Sequence, residues 1–242
     1  ALPSAPAVGG SGGGKGEVET IALSTIQKTI ARRMAESKAT IPDIQIRTEA
    51  DVTDLLALRA QMKAAQGGAP SVNDFVVKAC ALTLREQPRA NGGYRDGGFE
   101  LYGRVNVGVA VAADNSLIVP TIFDADAQPV TAIAAQTRAL VERVRGGTIT
   151  PPELSGGTFT VSNLGMFGVT SFTAIITTGQ AGILAVGAAV ARPSFDADGT
   201  VVKRSLMDLS LSCDHRILYG ADAAQFVARV RELLETPLAL LA

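Results

Sequence analysis

The sequence has little of what metal-binding or disulfide-stabilised proteins need. Among its 242 residues there are two cysteines and one histidine. Two cysteines are too few for a disulfide framework and favour a reducing compartment. With so few cysteine and histidine ligands, and no carboxylate cluster at metal-ligand spacing, we expect no metal site.

Charge and hydropathy argue against two further classes of partner. The formal net charge is -1 and no long basic run occurs, which speaks against nucleic acid and against an anionic membrane surface. The longest apolar run, residues 181–191, contains two glycines and is too short to cross a bilayer. The N-terminus lacks a charged start followed by an apolar stretch, so no signal peptide is expected.

What the sequence does contain is a linker-like start followed by one globular domain. Residues 1–16 are rich in Ala and Pro and then in Gly, a composition that predicts a flexible linker. Because the chain begins at Ala1 rather than Met, we expect it to be a fragment of a longer protein or a processed product. Residues 17–242 show no second linker and no repeat, and are predicted to form a single domain with a sizeable core.

Periodicity and turn residues predict an irregular mixture of helices and strands. Ser24 and Gln27 form a capping-box pattern ahead of a helix that reaches about Lys38. A turn is predicted at 91–93. Strands and helices do not alternate regularly, so we expect an α+β sandwich with a mostly antiparallel or mixed sheet. The further predicted helices are 53–65, 73–86, 129–145 and 221–235, and the predicted strands are 44–48, 104–113, 117–122, 157–162, 181–191 and 201–213.

His215 is the only histidine, so any imidazole chemistry must occur there. It lies where a predicted strand ends before a helix, and an imidazole is well suited to take a proton from a thiol or an alcohol near neutral pH. A structural histidine held by Asp214 or Arg216 is the alternative. In an extended strand Cys213 would point to the same face as His215, two residues later, which allows a Cys-His nucleophile pair. A small buried residue is the favoured interpretation of Cys213.

Two other segments suggest chemistry from their turns. Ser162 ends a predicted strand before a glycine-bearing turn, where a hydroxyl is able to donate a hydrogen bond to a developing oxyanion. An ordinary turn serine is the alternative, and position alone favours it.

Residues 9–16 contain a G-x-x-x-x-G-K pattern, but Gly16 stands where a phosphate-binding loop needs Ser or Thr, and no strand precedes it. We therefore reject that motif.

Five segments together resemble one protein family. Residues 214–224 resemble the D-H-R-x-x-D-G-A signature of the dihydrolipoamide acyltransferases of 2-oxo acid dehydrogenase complexes. One such motif would be weak evidence, but four more segments agree and occur in the family's order. Together they are spread over nearly the whole chain from residue 17 onwards. The four segments are 30–37, 73–79, 106–111 with 117–120, and 159–168.

The resemblance implies a fold and a mechanism. The fold is a chloramphenicol-acetyltransferase-like two-layer α+β sandwich with a mixed sheet, assembled as trimers with the active site at the subunit boundary. Coenzyme A, as a substrate, enters this site from one side and dihydrolipoamide from the other. In this chain His215 is the implied general base for the attacking thiol, and Ser162 of another subunit stabilises the oxyanion. Supporting or coenzyme A-binding roles are expected for Asn163, Arg216 and Gly220.

One position departs from the family pattern. Most members have Asp, sometimes Asn, four residues after the histidine, whereas this chain has Tyr219. In the family that side chain makes a polar contact, often with an arginine of the first helix, and Arg33 is the candidate here. Tyr219 cannot form a salt bridge, but its hydroxyl can hydrogen-bond and its ring can stack on a guanidinium. We expect an active enzyme; a catalytically weak structural core is the alternative.

The resemblance also implies partners. The apolar tail, residues 237–242, resembles the C-terminus that joins trimers into a cage. The lipoyl group is supplied in the family by a domain absent from this chain, and the 2-oxo acid decarboxylase and dihydrolipoamide dehydrogenase components bind through upstream domains.

Specificity and compartment follow less directly from the resemblance. Residues 163–168 resemble pyruvate-type enzymes, so acetyl is the first choice of acyl group and a branched-chain acyl the second. A stand-alone acyltransferase for an antibiotic alcohol is disfavoured by the linker and the tail. The expected location is the bacterial cytoplasm, with the mitochondrial matrix or plastid stroma as alternatives.

Overall fold

The computed structural model describes residue 16, residues 18–113 and residues 116–241. The linker predicted at 1–16 therefore lies almost wholly outside the described residues. The helices are α1 (Thr25–Thr40), α2 (Thr53–Gln66), α3 (Val72–Glu86), α4 (Val130–Arg145) and α5 (Gly220–Glu235). The strands are β1 (Asp43–Asp51), β2 (Gly92–Arg95), β3 (Gly98–Leu101), β4 (Val107–Val109), β5 (Val111–Ala113), β6 (Ser116–Ile118), β7 (Thr121–Ile122), β8 (Phe159–Asn163), β9 (Gly182–Phe195) and β10 (Val201–Asp214).

Six of these strands form the main sheet, in the order β1-β10-β9-β8-β4-β7. Neighbouring strands are antiparallel except at β9-β8 and β8-β4, which are parallel. The sheet is therefore mixed, as the sequence predicts. Two further hairpins, β2-β3 and β5-β6, form separate two-stranded sheets.

Helices α2 to α5 form a layer that covers one face of this sheet, and α1 lies on the other face. The main core contains fully buried aromatic side chains from both layers, among them Phe159 of β8 and Phe226 of α5, whose ring centroids are 5.3 Å apart. Burying each such side chain stabilises the fold by roughly 1.5–3 kcal/mol. The opposite face carries a smaller apolar cluster in which Ile183 and Ala185 of β9 pack with Ile176. The two-layer α+β architecture is confirmed.

The predicted helix ends agree with local hydrogen bonding. The Gln27 N–H donates to the Ser24 hydroxyl (3.2 Å), and the Ser24 N–H donates to the Gln27 side-chain oxygen (2.9 Å), so the predicted capping box is present at α1. Helix α4 ends at Arg145 with Gly146 as its C-cap, as expected. Pro237 ends α5 and begins a short 3-10 helix, Pro237–Leu240.

The turn predicted at 91–93 is wrong. Gly92 and Gly93 lie within β2, and the chain reverses instead at Asp96 and Gly97, both of which have positive φ. A Cβ on Gly93 would lie 2.5 Å from the carbonyl oxygen of Gly179. Glycine therefore serves a close backbone approach here, which the dipeptide pattern alone does not distinguish from a turn.

Two predicted strands are each divided in the structure. The segment 104–113 becomes β4 and β5, and 117–122 becomes β6 and β7, which belong to different sheets. Between β4 and β5, the Ala110 N–H donates to the Val161 carbonyl of β8 (3.0 Å). Between β6 and β7 lies Pro120, which has no N–H to donate to a ladder. The apolar pattern runs without a break through both predicted strands, so the sequence did not indicate that each one passes from one sheet to another.

Candidate active site

The only histidine lies directly beyond the end of β10. The backbone N–H of His215 donates to the Pro42 carbonyl (3.0 Å), and that of Asp214 donates to the Ala181 carbonyl (2.9 Å). These two bonds hold the end of β10 between the segments that precede β1 and β9. The His215 side chain is exposed, so a fixed backbone presents a solvent-accessible imidazole.

Asp214 and Arg216 form a structural anchor on either side of His215. Asp214 is only 2% exposed. Its carboxylate accepts bonds from Nε (2.9 Å) and Nη2 (2.8 Å) of Arg216 and from the Arg216 backbone N–H (3.0 Å). The hydrogen bond to Asp214 raises the pKa of Arg216. The guanidinium also lies 4.3 Å from the ring centroid of Tyr94, so Arg216 ties the loop to β2.

The imidazole itself is free to act on a substrate. No residue in the described part of the chain makes a side-chain hydrogen bond to His215. Its ring contact is with Tyr219, at 5.8 Å between centroids. Asp214 and Arg216 therefore pair with each other and leave His215 unpaired, which disfavours the structural alternative considered for it.

Cys213 is unsuited to the nucleophile role. The side chain is fully buried, and burial raises the pKa of its thiol to about 12, with the carboxylates of Asp214, Asp43 and Asp222 adding to the increase. Because the thiolate is the reactive form of cysteine, this thiol is inert at neutral pH. The favoured interpretation of Cys213, a small buried residue, agrees with this geometry.

The arginine beside Tyr219 is Arg89, not Arg33. The Arg89 guanidinium carbon lies 4.7 Å from the centroid of the Tyr219 ring. Arg33 is an exposed residue of α1, and the predicted Arg33–Tyr219 contact is not made within the described part of the chain. Sequence reasoning missed Arg89 because it lies in the irregular segment after α3, where no periodicity or motif marks it.

Ser162 lies near the end of β8, where it pairs with Ala185 of β9. Side chains opposite each other on neighbouring strands share a face, and Ala185 belongs to the cluster on the face away from the main helical layer. Ser162 therefore points to that face. Its hydroxyl makes no hydrogen bond to any residue that the structure describes, so it is available to a substrate.

The turn after Ser162 is fixed by its neighbours. The Asn163 side chain accepts a bond from the Gly165 N–H (2.8 Å) and donates to Asn73 of α3 (3.1 Å). The turn also packs closely on β9, where a Cβ added to Gly187 would lie 1.8 Å from the Thr170 carbonyl oxygen. Asn163 thus supports the backbone of the serine segment, which is one of the two roles considered for it.

A cavity of about 480 Å³ lies between α1 and the same face of the sheet. Its lining includes Arg33 of α1, Gly108 of β4 and Thr160 of β8. Thr160 and Ser162 are two residues apart on one strand and therefore point to the same face. The cavity thus adjoins the face that carries Ser162, and Arg33 supplies a cation there.

Ser162 and His215 cannot meet within one chain. Ser162 is opposite Ala185, and Ala185 is opposite Ser210, so these residues form one row across the sheet. His215 lies five residues beyond Ser210, which is about 16 Å along an extended strand, and the two strands are about 10 Å apart across the sheet. A general base must come within hydrogen-bonding reach of the proton that it takes. One chain therefore presents two separate half-sites.

The other features of the predicted site are plain. Gly220 is the first residue of α5, and a Cβ added to it would meet no atom within 4 Å.

Across residues 16, 18–113 and 116–241, no group of three or more His, Cys, Asp or Glu side chains is arranged to hold a metal ion. No helix in those ranges has both the length and the apolar composition needed to cross a membrane.

Comparison with curated proteins identifies close relatives. The chain is 34% identical over 229 residues to a dihydrolipoyllysine-residue acetyltransferase component of the pyruvate dehydrogenase complex from Rickettsia prowazekii, covering 93% of this chain and 56% of the relative. It is 42% identical over 225 residues to the mitochondrial counterpart from Caenorhabditis elegans, covering 90% and 44%. The chain thus spans about half the length of the curated relatives that it matches.

Solved structures share the fold. The Azotobacter vinelandii dihydrolipoamide acetyltransferase superposes with a TM-score of 0.90 at 31% identity, covering 100% of both chains. The cubic core of a pyruvate dehydrogenase multienzyme complex gives the same values. A chloramphenicol acetyltransferase, at 14% identity, shares the fold alone, with a TM-score of 0.51 over 84% of this chain and 94% of that one.

A family model extends the match to almost the whole chain. The model described as 2-oxoacid dehydrogenases acyltransferase (catalytic domain) matches residues 15–242. This range contains the loop of His215, the end of β8 with Ser162, and the cavity beside it. The chain therefore belongs to the 2-oxoacid dehydrogenase acyltransferase family, matching the model of its catalytic domain.

Proposed function

We propose that this chain transfers an acyl group, with acetyl as the first choice, between dihydrolipoamide and coenzyme A. The observation that carries the proposal is the exposed, unpaired imidazole of His215, held on a fixed backbone at the end of β10. The relatives named above are acetyltransferase components of pyruvate dehydrogenase complexes. The Azotobacter enzyme was studied for the role of a serine, a histidine and an asparagine in its catalytic mechanism.

The proposed mechanism assigns one proton transfer in each direction to His215. The imidazole takes the proton of the attacking thiol, whose ordinary pKa of about 8.5 leaves little thiolate at neutral pH. The thiolate adds to the thioester carbonyl, and a tetrahedral oxyanion forms. As the oxyanion collapses, the carbon–sulfur bond of the departing thiol breaks and His215 returns the proton to that sulfur.

Ser162 is proposed to donate its hydroxyl hydrogen to the oxyanion. A donor at this point lowers the barrier most when water is excluded. Because Ser162 and His215 of one chain are separated by two strand spacings and by five residues along the strands, the serine is proposed to come from a neighbouring copy. A trimer, as the family resemblance implies, would supply three such boundaries. The cavity beside the Ser162 face is proposed as the approach for one of the two thiol substrates.

The wider assembly is proposed from the same resemblance. The tail ends in the short 3-10 helix Pro237–Leu240, where Leu238 is 69% exposed. An exposed leucine at a chain end is suited to contact another trimer, and a related core is cubic. Residues 1–16 are proposed as a linker from upstream lipoyl and subunit-binding domains, through which the decarboxylase and dihydrolipoamide dehydrogenase components would bind.

A bacterial cytoplasm is the proposed location, with the mitochondrial matrix or plastid stroma as alternatives. The matched relatives include bacterial and mitochondrial proteins. For specificity, acetyl is proposed ahead of a branched-chain acyl group on the resemblance of residues 163–168 to pyruvate-type enzymes.

Acetyl transfer from acetyl-CoA to dihydrolipoamide by the purified chain tests the proposal. Wild-type chain should turn over, and His215→Ala should lose at least about a hundredfold in kcat, since a positioned general base contributes that much or more. Ser155→Ala, which removes an exposed turn serine, is the control for Ser162→Ala and should remain fully active. An assembled wild-type oligomer with no transfer to any acyl acceptor tested would leave a structural core as the function.

A further inference from the structure

Arg89 makes several contacts to the segment that carries the catalytic histidine. Its Nη2 donates to the Ile217 carbonyl, and its Nη1 lies 3.3 Å from the Asp222 carboxylate. The same Asp222 oxygen accepts a bond from the Tyr219 backbone N–H (3.1 Å). Together with the ring contact to Tyr219, Arg89 therefore holds both sides of the turn between His215 and α5.

Two aromatic rings lie beside the Arg89 guanidinium. It lies 4.7 Å from the Tyr219 ring centroid and 5.5 Å from that of Phe99 on β3. Its Nε is buried and has no hydrogen-bond partner among the described residues. The ring faces therefore compensate for part of the lost hydration of the cation, an interaction that strengthens as water is removed. Tyr219 is thus one wall of the arginine's pocket.

The Tyr219 ring also contacts the histidine. The His215 and Tyr219 rings are 5.8 Å apart between centroids with an interplanar angle of 49°. His215 makes no other side-chain contact of this kind within the described residues. Tyr219 therefore contacts both the imidazole of His215 and the guanidinium of Arg89 and links the two side chains.

We propose that Arg89 is a positioning residue for the acyl-transfer reaction, acting on His215 through the Tyr219 ring. This inference rests on the proposed function of the site. In this arrangement Arg89 contacts the Tyr219 ring, the Ile217 carbonyl and Asp222, and not the imidazole itself. Its effect is to keep the 217–219 turn closed, so that the imidazole is held where it can receive the thiol proton. A misplaced base slows proton transfer while leaving substrate contacts elsewhere intact.

The test is the kinetics of acetyl transfer in a set of matched variants. Arg89→Met keeps the length and apolar stem but removes the cation, and it should lower kcat by about tenfold to a hundredfold with KM for both substrates nearly unchanged. Arg89→Lys should recover part of this loss. Tyr219→Phe, which keeps the ring, should lose much less than Tyr219→Leu.

A double variant separates positioning from general destabilisation. If Arg89 acts through the Tyr219 ring, Arg89→Met combined with Tyr219→Leu should be no slower than the more damaging single variant. Arg229→Met is the control, because Arg229 also joins α3 to α5, through Glu86 at 2.9 Å, yet lies away from the loop. It should retain wild-type kcat. Light scattering should show the same oligomer size for every variant.

The outcomes distinguish this inference from the proposed function. An inactive wild-type chain would defeat the proposed function. An active wild type with Arg89→Met at wild-type kcat would overturn the positioning role alone. Independent, multiplicative losses in the double variant would also overturn it, since they would show that Arg89 does not act through Tyr219. An equal loss in Arg229→Met would overturn it too, since it would show that Arg89 contributes only to general stability.

Discussion

Hybrid oligomers should recover activity that neither parent variant has. The perturbation is to coexpress chains carrying His215→Ala with chains carrying Ser162→Ala. Each variant alone lacks one half-site at every subunit boundary. In a mixed oligomer, some boundaries join an intact His215 from one chain to an intact Ser162 from the next.

The size of the recovery follows from strand register and symmetry. Because the two residues are about 16 Å apart along the strands and about 10 Å apart across them, no site forms within one chain. In a closed ring, each boundary takes the histidine from one chain and the serine from the other, so equal mixing restores about a quarter of the sites. The Ser162→Ala parent should retain no more than about one per cent of wild-type kcat, since a lost oxyanion donor costs about a hundredfold or more.

The assay is acetyl transfer by the coexpressed oligomer, measured beside both parents and beside parents mixed after assembly. Mixing after assembly should give no recovery unless subunits exchange. Mass spectrometry must show that the two chains occur in the same oligomer. Activity equal to the average of the two parents, in proven hybrids, would refute the reasoning and place both groups in one chain's site.

Two further predictions concern residues on either half-site. Cys213→Ala should retain acetyl transfer within about twofold, and a tenfold loss in an assembled variant would restore the Cys-His interpretation. Because the thiol of Cys213 is buried and its pKa is about 12, alkylating reagents should modify this residue in the wild-type chain only after unfolding. Gly187→Ala should lower the free energy of unfolding by roughly 3 kcal/mol or more in urea titrations, because its Cβ would meet the Thr170 carbonyl at 1.8 Å. Gly103→Ala, which has open space at the Cβ, is the matched control and should match wild type.

Local signals predicted the helices well because their ends are encoded nearby. The Ser24–Gln27 capping box, Gly146 and Pro237 each act within one turn of the helix that they begin or end. His215 was identified for a related reason: it is the only imidazole, and it lies at a predicted strand end. These inferences need no knowledge of which strands pair.

The failures all depend on partners that are distant in sequence. Gly93 is a glycine because of Gly179, and the segment 104–113 divides because Ala110 bonds to Val161 of β8. Arg89 is close to Tyr219 because the segment after α3 packs beside the start of α5. These contacts cannot be predicted from sequence spacing, and the family pattern indicated Arg33 in place of Arg89.

Strand direction gives a further reason why the two half-sites need an assembly. Strands β8 and β9 are parallel while β9 and β10 are antiparallel, so β8 and β10 run in opposite directions and their C-terminal ends point in opposite directions along the strand axis. Ser162 and His215 both occupy such ends. No rotamer change, and no substitution that preserves the sheet, brings them together in one chain. If both residues act on one thioester, association is a condition of catalysis, and activity must fall with dilution wherever the oligomer dissociates.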